Sequence, residues 1–250
     1  MYRRSIVAVI VAALALVTAP SALANSDRSR FAVVPPSESQ KLTGKTYQQW
    51  SAVWWQTMLP FPVAKNPTND LTGDNCGRGE TADVFFLAGY FNTNPNPGTT
   101  RICTVPASKP LFFPIINVDC SNLEDPPYFG ETKRARAECP RFIADGIGVR
   151  TLNVTLDGKS VPSLGSFRAA SPDFRFHVPS DNVLGVRGPA SGKAASDGYW
   201  MLVQPPSSGK HVIHFEGQFT SPPAAGFAQN VTYDLTVRCS DKSNRCSNTA

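Results

Sequence analysis

The sequence predicts a mainly β domain: an antiparallel β-sandwich or jelly roll with one or two peripheral helices, stapled by disulfides. Three observations carry that prediction. Apolar and polar residues alternate in several short runs, the longest setting Val231, Tyr233, Leu235, Val237 and Cys239 against Asn230, Thr232, Asp234, Thr236 and Arg238. Period two with one apolar face describes strands that pack one side on a core and leave the other in water. The 18 glycines and 22 prolines supply turns between many short strands, as sandwiches require. Six cysteines, an even number with no C-x-x-C pair, read as disulfides and not as a metal or redox centre.

From the N-terminus, residues 1–24 are expected to be a Sec-type signal peptide. Arg3 and Arg4 precede an apolar run over 6–17, and Ala22 and Ala24 fit the −3 and −1 positions of a cleavage site after Ala24. The run is shorter than the ~20 residues of a membrane-spanning helix, so a secreted or periplasmic chain is expected. Residues 25–44 are polar, contain Pro35-Pro36 and read as a flexible arm; 45–239 should form one β-sandwich domain and 240–250 a C-terminal tail.

Thr46 and Gln49 make a capping box, which opens a helix over 47–59 with Trp50, Val53, Trp54 and Met58 on one face. Pro60 and Pro62 end it, since neither donates to the helical ladder. A polar loop over 66–80 leads into a continuous apolar run at 84–88, the pattern of a strand buried on both faces. After a turn at 94–98, strands are expected at 101–105 and 111–118, then a second helix over 131–144 kinked or divided at Pro140. In the C-terminal half Leu152, Val154 and Leu156 alternate with polar residues, and Asp157-Gly158 makes a hairpin turn. Further strands are expected at 174–178, 199–203, 211–219 and 230–239. The sequons at Asn153 and Asn230 fall within this alternation and read as strand residues. For the cysteines local partners are expected: Cys76–Cys103, Cys120–Cys139 and Cys239–Cys246.

The segments Trp54-Trp55, Asp70-Leu71-Thr72-Gly73, Cys103-Thr104-Val105-Pro106, Leu111-Phe112-Phe113-Pro114 and Asp197-Gly198-Tyr199-Trp200 stand beside a run from Ser208 to Phe215. Together they resemble a group of uncharacterised exported bacterial proteins. The resemblance implies export and fold, and brings no activity, ligand or catalytic residue.

The net charge is +5, with two of the arginines in the leader, and the densest basic cluster, Lys133 to Arg136, is flanked by Glu131 and Glu138. That is no stripe for nucleic acid, and no such partner is expected. No cofactor or metal is expected either. Among the three histidines, His177 alternates with core positions, and His211 and His214 fall on opposite faces of one strand; His214 with Glu216 makes at most a two-ligand set. Asp70, Thr72, Asp74, Asn75 and Glu80 offer oxygen donors but lack the EF-hand spacing, so Asx-turns are the expected use. Ser207 and Lys210 satisfy S-x-x-K in a turn, where that chemistry needs a helix. Trp54, Trp55, Tyr199 and Trp200 could offer aromatic faces to a sugar, core packing being the ordinary fate of such rings. Trp55, off the helix stripe, is expected to expose its ring, and Trp55 and Trp200 are the ligand-binding candidates.

Two functional classes follow. The first is a non-catalytic binding or envelope-associated module for a glycan or protein ligand; the alternative is a secreted carboxylate-dependent hydrolase or lyase acting on polysaccharide. Paired carboxyls in a concave, aromatic-lined groove favour the second, and a flat aromatic strip the first.

Overall fold

The computed structural model describes residues 29–91 and 98–239. In chain order its elements are β1 (Ala32–Val33), α1 (Pro36–Thr43), α2 (Tyr47–Met58), β2 (Phe85–Phe86), β3 (Thr99–Pro106), β4 (Leu111–Ser121), α3 (Lys133–Ala144), β5 (Asn153–Leu156), β6 (Lys159–Ser160), β7 (Phe174–Val178), β8 (Ala190–Gln204), β9 (Gly209–Gln218) and β10 (Ala228–Arg238). The strands make two five-stranded sheets: β1-β8-β4-β2 with β7 also on β8, and β3-β10-β9-β5-β6.

The fold is mainly β, as the alternation predicts, but the sheets are mixed rather than purely antiparallel. β3 runs parallel to β10, and β2 parallel to β4. Period two reports which face of a strand is buried and says nothing about its neighbour's direction.

Successive residues Phe112 and Phe113 on β4 show the layering. Phe113 stacks on Phe215 of the second sheet at 5.0 Å, while Phe112 stacks on Trp200 at 5.3 Å and meets Tyr47 of α2. The first sheet is therefore covered twice, by the second sheet on one face and by α2 on the other. That is why β4 is buried along nearly its whole length. α2 starts at the expected capping box, with the Thr46 amide donating to Gln49 Oε1 at 2.9 Å. Trp50 and Trp54 pack down on Phe86 and Trp200.

The stretch read as a flexible arm carries β1 and α1 in its described part. Pro36 opens α1 with its φ already helical, and Gly44, at φ 78, closes it in the left-handed region. The Tyr47 hydroxyl donates to Val34 O and accepts from Leu202 N, both at 2.8 Å, and so ties this segment to β8.

Two disulfides staple the described residues as expected, Cys76–Cys103 and Cys120–Cys139. Cys246, the expected partner of Cys239, lies outside the described residues, as do the signal peptide with its cleavage site, the turn at 94–97 and the tail. α3 keeps Pro140 within a single helix, Lys133–Ala144, and packs on β4 and β8.

Candidate functional site

The site forms at a gap in the outer edge of β4. That edge pairs with β2 at Leu111 and Phe112, and bridges to Phe129 at Ser121. Between these points Asn117, Val118 and Asp119 border a cavity of about 210 Å³. Trp55 of α2, Tyr90 and Phe91, Glu124 and Tyr128, and Leu184 close it on several sides, and the β9–β10 connection adds Phe219, Ala224 and Phe227.

Local bonding explains how each wall is held. The Ser121 hydroxyl accepts from the amides of Leu123 and Glu124, both at 3.2 Å, and turns the chain back so that Glu124 comes beside Asp119. Cys120, between Asp119 and Ser121, fastens the same stretch to α3. The opposite wall, 87–91, is gripped by side chains. Trp54 Nε1 donates to Leu87 O at 2.9 Å, and the Tyr233 hydroxyl bonds both the amide and the carbonyl of Ala88. Arg101 Nη1 donates to Ala88 O at 2.7 Å. Gln229 accepts from Tyr90 N at 2.7 Å and donates to Tyr90 O at 2.6 Å, as a neighbouring strand would.

Four residues that line this cavity each keep a buried polar atom with no partner: Trp55 Nε1, Asn117 Nδ2, Asp119 Oδ2 and Glu124 Oε2. Elsewhere among the described residues only Arg101, Ser196 and Trp200 keep such atoms. Buried polar atoms are nearly always satisfied, and orphans gathered at one place need an explanation.

The electrostatics agree with the geometry. Burial, and then the neighbouring Glu124, push the Asp119 carboxyl well above the usual range. Burial pushes Glu124 up to about 7, although hydrogen bonding by Ser121 pulls against it. Burial and the two carboxyls also raise Tyr128. No Lys, Arg or His stands among the described lining residues. Desolvation without a counter-ion favours the protonated form, so the pair holds protons into neutral pH.

Of the two aromatic candidates, Trp55 is at this cavity and Trp200 is not. Trp55 is only 2% exposed, against the exposed ring expected from its place off the helix stripe. The segment 88–91 covers that second face of α2, and Phe91 stands 6.0 Å from the Trp55 ring at 86°. Trp200 is fully buried between Phe112 and Trp54. Asp70 serves its own loop. His214 lies 3.9 Å from Glu216 and bonds the Thr232 hydroxyl, while His211 Nδ1 pairs with Asp157 at 2.9 Å. No group of three or more metal-ligating side chains is found among the described residues.

Sequence reasoning missed Asn117, Asp119 and Glu124. The available signal was the polar series Asn117, Asp119 and Ser121 at period two, continuing an apolar run read as ending at 118. Comparison with family models, with curated proteins and with solved structures finds no match for this chain.

Proposed function

We propose that the chain is a binding module that takes a small ligand into the cavity between Asp119, Glu124 and Trp55. The convergence of four unpartnered polar atoms on one aromatic-lined cavity carries this reading. At about 210 Å³ the cavity is smaller than the ~300–1,000 Å³ of drug-sized sites, which suits a single ring. A sugar ring would lay its C–H faces on the aromatic side chains and its hydroxyls on the carboxyl pair. Two disulfides support a place of work outside the cytoplasm, in the medium or the periplasm. No described helix is long and apolar enough to cross a membrane. Tryptophan fluorescence titration against a panel of monosaccharides tests the proposal. A saturable change that Asp119→Asn abolishes is expected, and a flat response across the panel would sink it.

One observation favours a second reading, the carboxylate-dependent hydrolase. Glu124, held protonated up to about 7 beside a second carboxyl, has the character of a general acid at neutral pH. Release of reducing ends from a polysaccharide, lost in Glu124→Gln, would establish it; tight binding without turnover leaves the binding module standing.

A further inference from the structure

We propose that the ligand of this cavity is a hydroxylated amine of one ring's size, the chemistry of a hexosamine, with its ammonium on Asp119 and Glu124. The inference rests on the binding-module reading above and adds the ligand class.

Other enclosed acids are completed within the chain, Asp70 by backbone and hydroxyl donors of its own loop and two more by arginines. Asp197, 3% exposed, is met by Arg168 at 2.8 Å, and Asp173 is met by Arg136 at 2.7 Å. Asp119 and Glu124 have no such cation on any described wall, and each keeps an oxygen with no donor. Without a ligand the pair is neutralised by protonation, and a cationic ligand can take a proton's place where the chain supplies no cation.

The aromatic walls favour the same charge. Trp55, Phe91, Phe219 and Phe227 all line the cavity, Trp55 and Phe91 in edge-to-face contact at 86° and Phe219 and Phe227 at 65°. Aromatic faces attract a desolvated ammonium.

The unpartnered donors narrow the class further. Trp55 Nε1 and Asn117 Nδ2 can only donate. A metal ion or a bare alkylammonium would complete the carboxyls and leave both donors unpaired. A neutral sugar would serve the donors and hydrogen-bond the protonated carboxyls, but would bring no charge against which the pair could ionise. An amine that also carries hydroxyl oxygens serves all four groups.

Entry of the ammonium expels a proton from the pair: the carboxyl O–H ionises, the proton leaves to solvent, and N–H···O bonds form to the carboxylates. The titratable groups facing them are Tyr90 and Tyr128 from the two loops. α2 presents Trp55, the β7–β8 connection Leu184, and the β9–β10 connection Phe219 and Phe227, none of which titrates.

Isothermal titration calorimetry of the full exported chain decides the matter, with glucosamine, glucose and N-acetylglucosamine as probes in two buffers of different ionisation enthalpy. Glucosamine should bind at least ~10-fold more tightly than the other two, as a hydrogen bond to a charged group warrants. Its heat should report proton release, and its affinity should rise with pH between about 5 and 6.5, where the amine stays protonated. Glu124→Gln should erase the preference while circular dichroism shows the fold retained. If glucose and N-acetylglucosamine match glucosamine, the amine is wrong and the cavity reading survives. If none of the three binds and the tryptophan fluorescence is unmoved, both are overturned.

Discussion

Asp70 and Asp119 are both buried aspartates, 7% and 3% exposed, and the protein completes one and not the other. The Asp70 carboxylate accepts from Thr72 N at 2.9 Å, Thr72 Oγ1 and Gly73 N at 3.0 Å, and Asn75 N at 2.7 Å. Burial pushes its pKa up, and those four bonds more than offset the push, leaving it below its ordinary value. Asp119 has only a bond from its own backbone to set against burial and Glu124, and it stays well above. A carboxylate whose partners lie a few residues along the chain is a folding device. One left incomplete against a second carboxyl, inside a cavity, contributes no such tie to the fold, and it is the feature on which the proposed ligand site rests. The adjacent tryptophans repeat the contrast: Trp54 donates to Leu87 O at 2.9 Å, whereas the Trp55 N–H finds nothing.

If this division is right, variants on the two sides should behave differently. The largest effect should come from Trp54→Ala, which removes a ring packed against Trp55 and Trp200 and orphans Leu87 O. Chemical denaturation should show a loss of about 3–5 kcal/mol. Glu124 comes next, with an unusual sign. Its folded pKa is raised from 4.5 to about 7, so its contribution is fully present below the lower value and is lost as pH rises toward the upper. Glu124 should contribute a loss of about 3 kcal/mol across that window, and Glu124→Gln should remove that share and leave the shallower slope set by buried Asp119. A wild-type profile that is flat there would remove the difference between the two aspartates.

Asp70→Ala should cost about 2 kcal/mol, because it leaves backbone donors buried without an acceptor. Its pH signature runs the other way: a lowered carboxylate pKa gives stability that is present above 3.8 and lost on acidification. The smallest effect should be that of Trp55→Phe, less than ~1 kcal/mol in the unliganded state, since it keeps a ring and removes a donor that bonds nothing. Should it cost as much as Trp54→Ala, Trp55 belongs to the core after all.

Local physics made much of the fold legible. The capping box at Thr46 and Gln49, the alternation in β10 and the hairpin turn at Asp157-Gly158 all act within a few residues, and all stand in the structure as predicted. The two described disulfides join cysteines consecutive in chain order, 27 and 19 residues apart, the pairing expected from the sequence. The site was not legible because it is assembled from six separate stretches, and each looks ordinary alone. Asp119 falls just past a strand expected to end at 118, Glu124 and Phe227 fall between expected elements, and Phe219 closes the strand expected at 211–219. Trp55 was singled out for the wrong reason: the helical wheel shows which face is free of the sheet, and cannot show that a distant segment covers it. Gly73 teaches the same limit. Its φ of 97 and the Ile102 carbonyl close against the position a Cβ would take make glycine necessary there, yet the contact joins loop to strand across 29 residues of sequence.

The way segment 87–91 is attached has a consequence for how the molecule opens. Arg101 and Tyr233 are register partners on β3 and β10, and together with Gln229 they hold Ala88 and Tyr90 by side-chain tips, with no ladder between the two backbones. Rotating these tips and parting the Phe91 amide from Thr68 O frees the 88–91 end of the wall, while Leu87 stays bonded to Phe112 O and every strand of the second sheet keeps its ladder. The cavity can therefore breathe at a free-energy cost set by a handful of hydrogen bonds, well below that of unfolding. In hydrogen exchange the amides of Ala88 and Tyr90 should exchange ahead of those along β10, and an occupant that fills the cavity should slow them first.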